Sequence, residues 1–74
     1  MKPLTLERAK KLRVGDIVYH KTNKNRDRTP QRWRVNGEVK RWKRDKDRIK
    51  IPVKYGLYTY GYIDNSNINL CMID

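Results

Sequence analysis

Apolar positions change their spacing partway along the chain. Between Leu4 and Arg13, Leu6, Ala9 and Leu12 recur every three residues, while Arg8, Lys10 and Lys11 fall mainly off that stripe. The pattern predicts a short amphipathic helix over 4–13. Thr5, following Pro3, suits the N-cap, although Arg8 rather than Glu stands three places on, so no capping box forms. Gly15 suits the positive-φ position beyond the helix, and the cations of its last turn suit the negative end of the dipole.

From residue 16 to 73 the pattern is that of short β-strands. Ile17, Val18 and Tyr19 form an apolar run ending at His20. Thr22–Gln31, with Asn23, Asn25 and Pro30, reads as a polar, mobile loop. Asn36-Gly37, between Arg32–Val35 and Glu38–Lys43, is the strongest hairpin signal in the chain. A two-residue turn pairs Val35 with Glu38. A three-residue loop pairs Trp33 with Val39 and Arg34 with Glu38, which cross-strand chemistry favours. After the charged turn 44–47, Arg48–Val53 alternates cleanly, with Ile49, Ile51 and Val53 on one face. Pro52 cannot donate to a ladder and indicates an edge position or a bulge. Lys54-Tyr55-Gly56 turns the chain into Leu57–Ile63, where Tyr58, Tyr60 and Tyr62 share a face. Asp64–Asn67 is a turn, and Ile68–Ile73 forms a last strand. The expected fold is α+β: a short N-terminal helix, then five or six short, mainly antiparallel strands forming a small barrel or a strongly bent sheet.

Composition narrows the function classes. With 74 residues, one small domain is expected, and 36% apolar against 36% charged residues leaves a thin core. Cys71 is the only cysteine and His20 the only histidine, so neither an intramolecular disulfide nor a tetrahedral His/Cys zinc site is available. A lone cysteine without an export signal fits a reducing cytoplasm. No apolar run approaches the roughly 20 residues needed to span a bilayer. The net charge is +11, and it is concentrated: residues 21–50 hold thirteen cations against four acids. Trp33, Val35, Val39, Trp42, Ile49 and Ile51 are threaded through that stretch, so most of these cations are expected on strands rather than on a disordered arm.

Catalysis has little support. His20 and Cys71 lie far apart with no local signature around either, the acids do not cluster, and no glycine-rich phosphate loop appears. No catalytic residue, metal, cofactor or small-molecule substrate is expected. Binding has more support. Arg32, Arg34, Lys40, Arg41 and Lys43 surround the expected hairpin that also carries Trp33 and Trp42. Cations neutralise phosphates while aromatics stack on unpaired bases, so this mixture suits single-stranded nucleic acid. Tyr58, Tyr60 and Tyr62 offer a second stacking face, and Lys24, Arg26 and Arg28 in the loop are further contacts that order on binding. The same residues suit docking on an acidic protein, where charge steers the encounter and Arg, Trp and Tyr anchor it. Both tryptophans also have a use as core in a chain without Phe.

Three stretches carry a resemblance: Leu4-Thr5-Leu6-Glu7-Arg8-Ala9-Lys10-Lys11-Leu12-Arg13-Val14-Gly15-Asp16 before the first strand, Arg32–Arg44, and Ile51-Pro52-Val53-Lys54-Tyr55-Gly56-Leu57-Tyr58. Together they resemble the small basic transcription regulators, encoded by lytic phages of the Xanthomonas type, that bind host bacterial RNA polymerase. The resemblance implies a non-enzymatic protein of the host cytoplasm that engages the large polymerase subunits. It would inhibit initiation by displacing the sigma factor, with antitermination as a later role. A monomer is expected, with direct DNA or RNA binding as the alternative.

Overall fold

The computed structural model describes residues 1–74, most of which lie in or beside one seven-stranded sheet. The elements in chain order are β1 (Lys2–Pro3), α1 (Leu6–Ala9), β2 (Ile17–Lys24), β3 (Pro30–Val35), β4 (Lys40–Arg41), β5 (Ile49–Tyr55), β6 (Thr59–Asp64), a 3₁₀ turn (Ile68–Leu70) and β7 (Cys71–Ile73). Every pairing is antiparallel, in the order β1-β7-β2-β3-β5-β4, with β6 on the other edge of β5. The α+β expectation holds in this form. The barrel alternative does not, because the sheet stays open. The 3₁₀ turn occupies the start of the expected final strand, and Asn67 Nδ2 donates to the Tyr62 carbonyl at 3.0 Å. A side chain, not another strand, thus meets β6 at that point.

The helix is one turn long instead of spanning 4–13. Thr5 caps it as expected, its Oγ1 accepting from the Arg8 N–H at 3.2 Å. The chain then tightens through bonds from Lys11 to the Arg8 carbonyl and from Leu12 to the Ala9 carbonyl, the geometry that ends a helix. Gly15 follows with φ +97°, and its N–H donates to the Val35 carbonyl at 2.8 Å. Docking of this segment onto β3 stops the helix early.

Two loop expectations are corrected. Thr22–Gln31 is not a free loop: β2 runs on to Lys24 and β3 begins at Pro30. The ladder shifts register between Tyr19 and Lys24, and His20 organises the irregularity, its Nδ1 accepting from the N–H groups of Thr22 (3.2 Å) and Asn23 (2.9 Å). At the tip, Asn25 donates to Thr29 Oγ1 and accepts from the Tyr55 hydroxyl at 2.6 Å. Nor does Asn36-Gly37 form a hairpin. β3 and β4 run in the same direction along one edge of β5, with Val35 opposite Val53 and Lys40 opposite Lys50. The intervening residues bulge. Asn36 donates to the Pro52 carbonyl at 3.0 Å, so the side of Pro52 that lacks an N–H faces the bulge. This is the bulge that the proline foretold.

Ten residues are buried, none of them polar: Leu4, Ala9 and Leu12 from the N-terminal segment, Val18, Val35, Ile49, Ile51, Val53, Ile63 and Cys71 from the sheet. The Ile49/Ile51/Val53 alternation is inward, as predicted.

Candidate functional site

Because Ile49, Ile51 and Val53 point to the core, Lys50, Pro52 and Lys54 point to the other face of the sheet. Strand register sets their neighbours. Lys54 lies between Arg34 of β3 and Tyr60 of β6. Pro52 lies opposite Tyr62, with Gly37 packed against its ring from the other side. Lys50 lies between Lys40 of β4 and Asp64. The outer face is therefore a patch of cations and tyrosines around a low centre of Pro52 and Gly37.

This arrangement works against folding. Arg34 opposite Lys54 and Lys40 opposite Lys50 are like charges in directly facing positions, which destabilise a sheet. The aromatic rings offset part of this: the Lys54 ammonium lies 5.3 Å from the Tyr60 ring centre and that of Lys50 4.2 Å from Tyr62. None of these cations makes a salt bridge, although Asp64 lies opposite Lys50 and feels its charge. The single salt bridge in the molecule joins Lys10 to Asp47 at 3.0 Å.

The acids are engaged elsewhere. Asp16 accepts from the Arg13 N–H, Asp45 from the Asp47 N–H, and Asp74 from the Tyr19 hydroxyl. The Thr29 hydroxyl holds the Asp27 carboxyl below its ordinary pKa, and the Ser66 hydroxyl does the same to Asp64. With most of the few acids committed to turns, the positive surface is left uncompensated.

The sequence-nominated residues divide. Arg32 and Arg34 lie exposed on β3 and line a shallow groove with Lys54, Tyr55 and Leu57. A second groove, shared through Arg32 and Tyr55, adds Lys24 and Arg26 from the β2–β3 tip, where Arg28 adopts φ +67°. Lys40 belongs to the outer patch, and Lys43 is exposed after β4. Arg41 does not join them: its guanidinium donates to the Lys10 carbonyl and fixes β4 to the segment after α1. Trp33 is not a surface anchor. It packs inward on the core, tilted against Tyr55 at 5.5 Å between centroids, with Nε1 buried and unpartnered. Trp42 is half-buried between the Arg48 guanidinium at 4.4 Å and the Lys40 ammonium at 5.4 Å. Tyr58 sits not on the strand but in the turn before it, 89% exposed, following Gly56 at φ +67°. Tyr60 is on the outer face.

Lys50 and Lys54 were not nominated. The Arg48–Val53 alternation put Lys50 on the polar face, but Lys54-Tyr55-Gly56 was expected to be a turn. Instead, β5 runs on to Tyr55, paired with Thr59, and the turn begins at Gly56. Conversely, His20 and Cys71, distant in sequence, are direct cross-strand partners. Their chemistry is not that of a nucleophile and base. Burial pushes the Cys71 thiol up to about 11, the reverse of an activated thiolate, and His20 Nδ1 is occupied by backbone donors. No group of three or more His, Cys, Asp or Glu side chains comes together that could hold a metal, and no helix is long and apolar enough to cross a membrane. No family model, curated protein or solved structure matches the chain.

Proposed function

We propose that this protein is a non-enzymatic regulator that binds host bacterial RNA polymerase through its basic surface and inhibits transcription initiation by sigma displacement, with antitermination as a further role. The identity of the partner comes from the sequence resemblance. The observation that supports binding of an acidic partner is the uncompensated surface: nineteen Lys and Arg, one salt bridge, and acids taken up in turns. Such a surface steers association and favours partners of opposite charge. Arg32, Arg34, Lys54 and the β2–β3 tip cations are the contacts assigned to it. Arg41 is removed from that set because it holds β4.

The test is capture of polymerase subunits from nuclease-treated bacterial lysate on immobilised protein. Retention of the large subunits by the parent, with at least tenfold less on an Arg32→Glu/Arg34→Glu variant, supports the reading. Loss of all partners upon nuclease treatment contradicts it.

A further inference from the structure

The outer face carries a feature that a merely basic surface does not need. Tyr60 and Tyr62 are 64% and 56% exposed. Both are large aromatic rings on a regular strand, and neither belongs to the buried core. Alternate residues of a strand stand about 6.7 Å apart. That is nearly twice the ~3.4 Å between stacked bases along one strand of a duplex. Two such rings can each take a base only from a chain whose own bases have been separated.

The surroundings complete the chemistry. The Lys54 and Lys50 ammonium groups lie over the Tyr60 and Tyr62 rings, so a base stacks on the opposite ring face or displaces the lysine towards a phosphate. Arg34 and Lys40 flank the lysines across the sheet. Between them the surface stays low, since Gly37 has no side chain and its backbone abuts the Pro52 ring. Asp64, opposite Lys50, turns its carboxylate to the Ser66 hydroxyl and to the Ser66 N–H at 2.9 Å, with the Lys50 charge adding to the lowering of its pKa. Repeating base-plus-phosphate chemistry meets repeating ring-plus-cation chemistry.

We infer that the outer face of β3, β5 and β6 is a platform for single-stranded nucleic acid, with Tyr60 and Tyr62 stacking on bases and Arg34, Lys50 and Lys54 holding phosphates. This goes beyond the polymerase reading and does not require it.

Fluorescence anisotropy with short fluorescein-labelled oligo-dT and oligo-U tests it. The parent is expected to bind single strands at least about tenfold more tightly than a duplex of equal length. Tyr60→Ala/Tyr62→Ala, which keeps the net charge, should weaken single-strand binding by about tenfold or more, while Tyr60→Phe/Tyr62→Phe stays close to the parent. Lys50→Ala/Lys54→Ala should flatten the log–log salt slope by about 1.4, from ~0.7 per phosphate contact. Circular dichroism confirms the fold of each variant. The inference is overturned if the alanine pair binds like the parent, if duplex binds as tightly, or if polyglutamate competes as well as oligo-dT. Polymerase capture from nuclease-treated lysate, run on the same tyrosine variants, separates this result from the fate of the polymerase reading.

Discussion

Gly37 is needed for space rather than for its conformation. A Cβ there would stand 2.6 Å from Pro52 Cγ, in a ring held within β5. Gly61 differs: its Cβ would meet Trp33 at 3.6 Å, an ordinary contact. Gly37→Ala should therefore destabilise the protein by about 1–3 kcal/mol, as overpacking does, and Gly61→Ala by clearly less. Urea unfolding of both variants checks this, and equal midpoints would refute it. Cys71 supplies a second residue-scale prediction. Its folded pKa, pushed from 9.0 to about 11, exceeds that of the unfolded thiol, so its contribution to stability is full below pH 9 and is lost as pH rises from 9 towards 11. At pH 8 the folded thiol should resist Ellman's reagent and react promptly once urea unfolds the chain. Rapid reaction of the native protein would contradict its burial.

Among the elements, the ones legible in sequence were those whose pattern has one physical cause. Ile49, Ile51 and Val53 alternate because one face of β5 is core, and Thr5 caps because an exposed N–H of the first turn needs an acceptor. Asn36-Gly37 misled because the same dipeptide serves a turn or a close approach, and the deciding partner, Pro52, is distant in sequence. Trp33 and Trp42 looked alike in sequence, yet register turns Trp33 inward and leaves Trp42 between cations. The turn between β4 and β5 depends on a similarly distant contact. Asn65 donates to the Asp47 carbonyl at 2.6 Å and accepts from the Ile49 N–H at 2.9 Å, tying that turn to the end of β6. Asn65→Ala should cost about 1–2 kcal/mol, because it leaves backbone groups without their partners. Asp47→Ala removes only the salt bridge of a 76% exposed carboxylate and should cost well under 1 kcal/mol. Thermal unfolding of the two variants distinguishes them, and the reverse order would refute the assignment.

For the whole molecule, the charge imbalance was fully legible in sequence, and its consequence was not. Composition announced +11 but could not say which cations were neutralised or shared a face. The fold decides both: acids go to turns, Arg41 goes to the segment after α1, and Arg32, Arg34, Lys40, Lys50 and Lys54 remain together on the sheet. Opposed like charges on a thin core are a burden that the proposed binding to an acidic partner would relieve. The most direct measurement is the affinity of nuclease-treated core RNA polymerase for the parent, for Arg32→Glu/Arg34→Glu, and for Arg8→Glu/Lys11→Glu, which alters the separate groove beside α1 by the same charge. The account predicts at least tenfold weaker binding for the β3 pair and little change for the α1 pair. Equal losses in both would reduce the interaction to net charge, and unchanged affinity for the β3 pair would contradict the assignment of the sheet face.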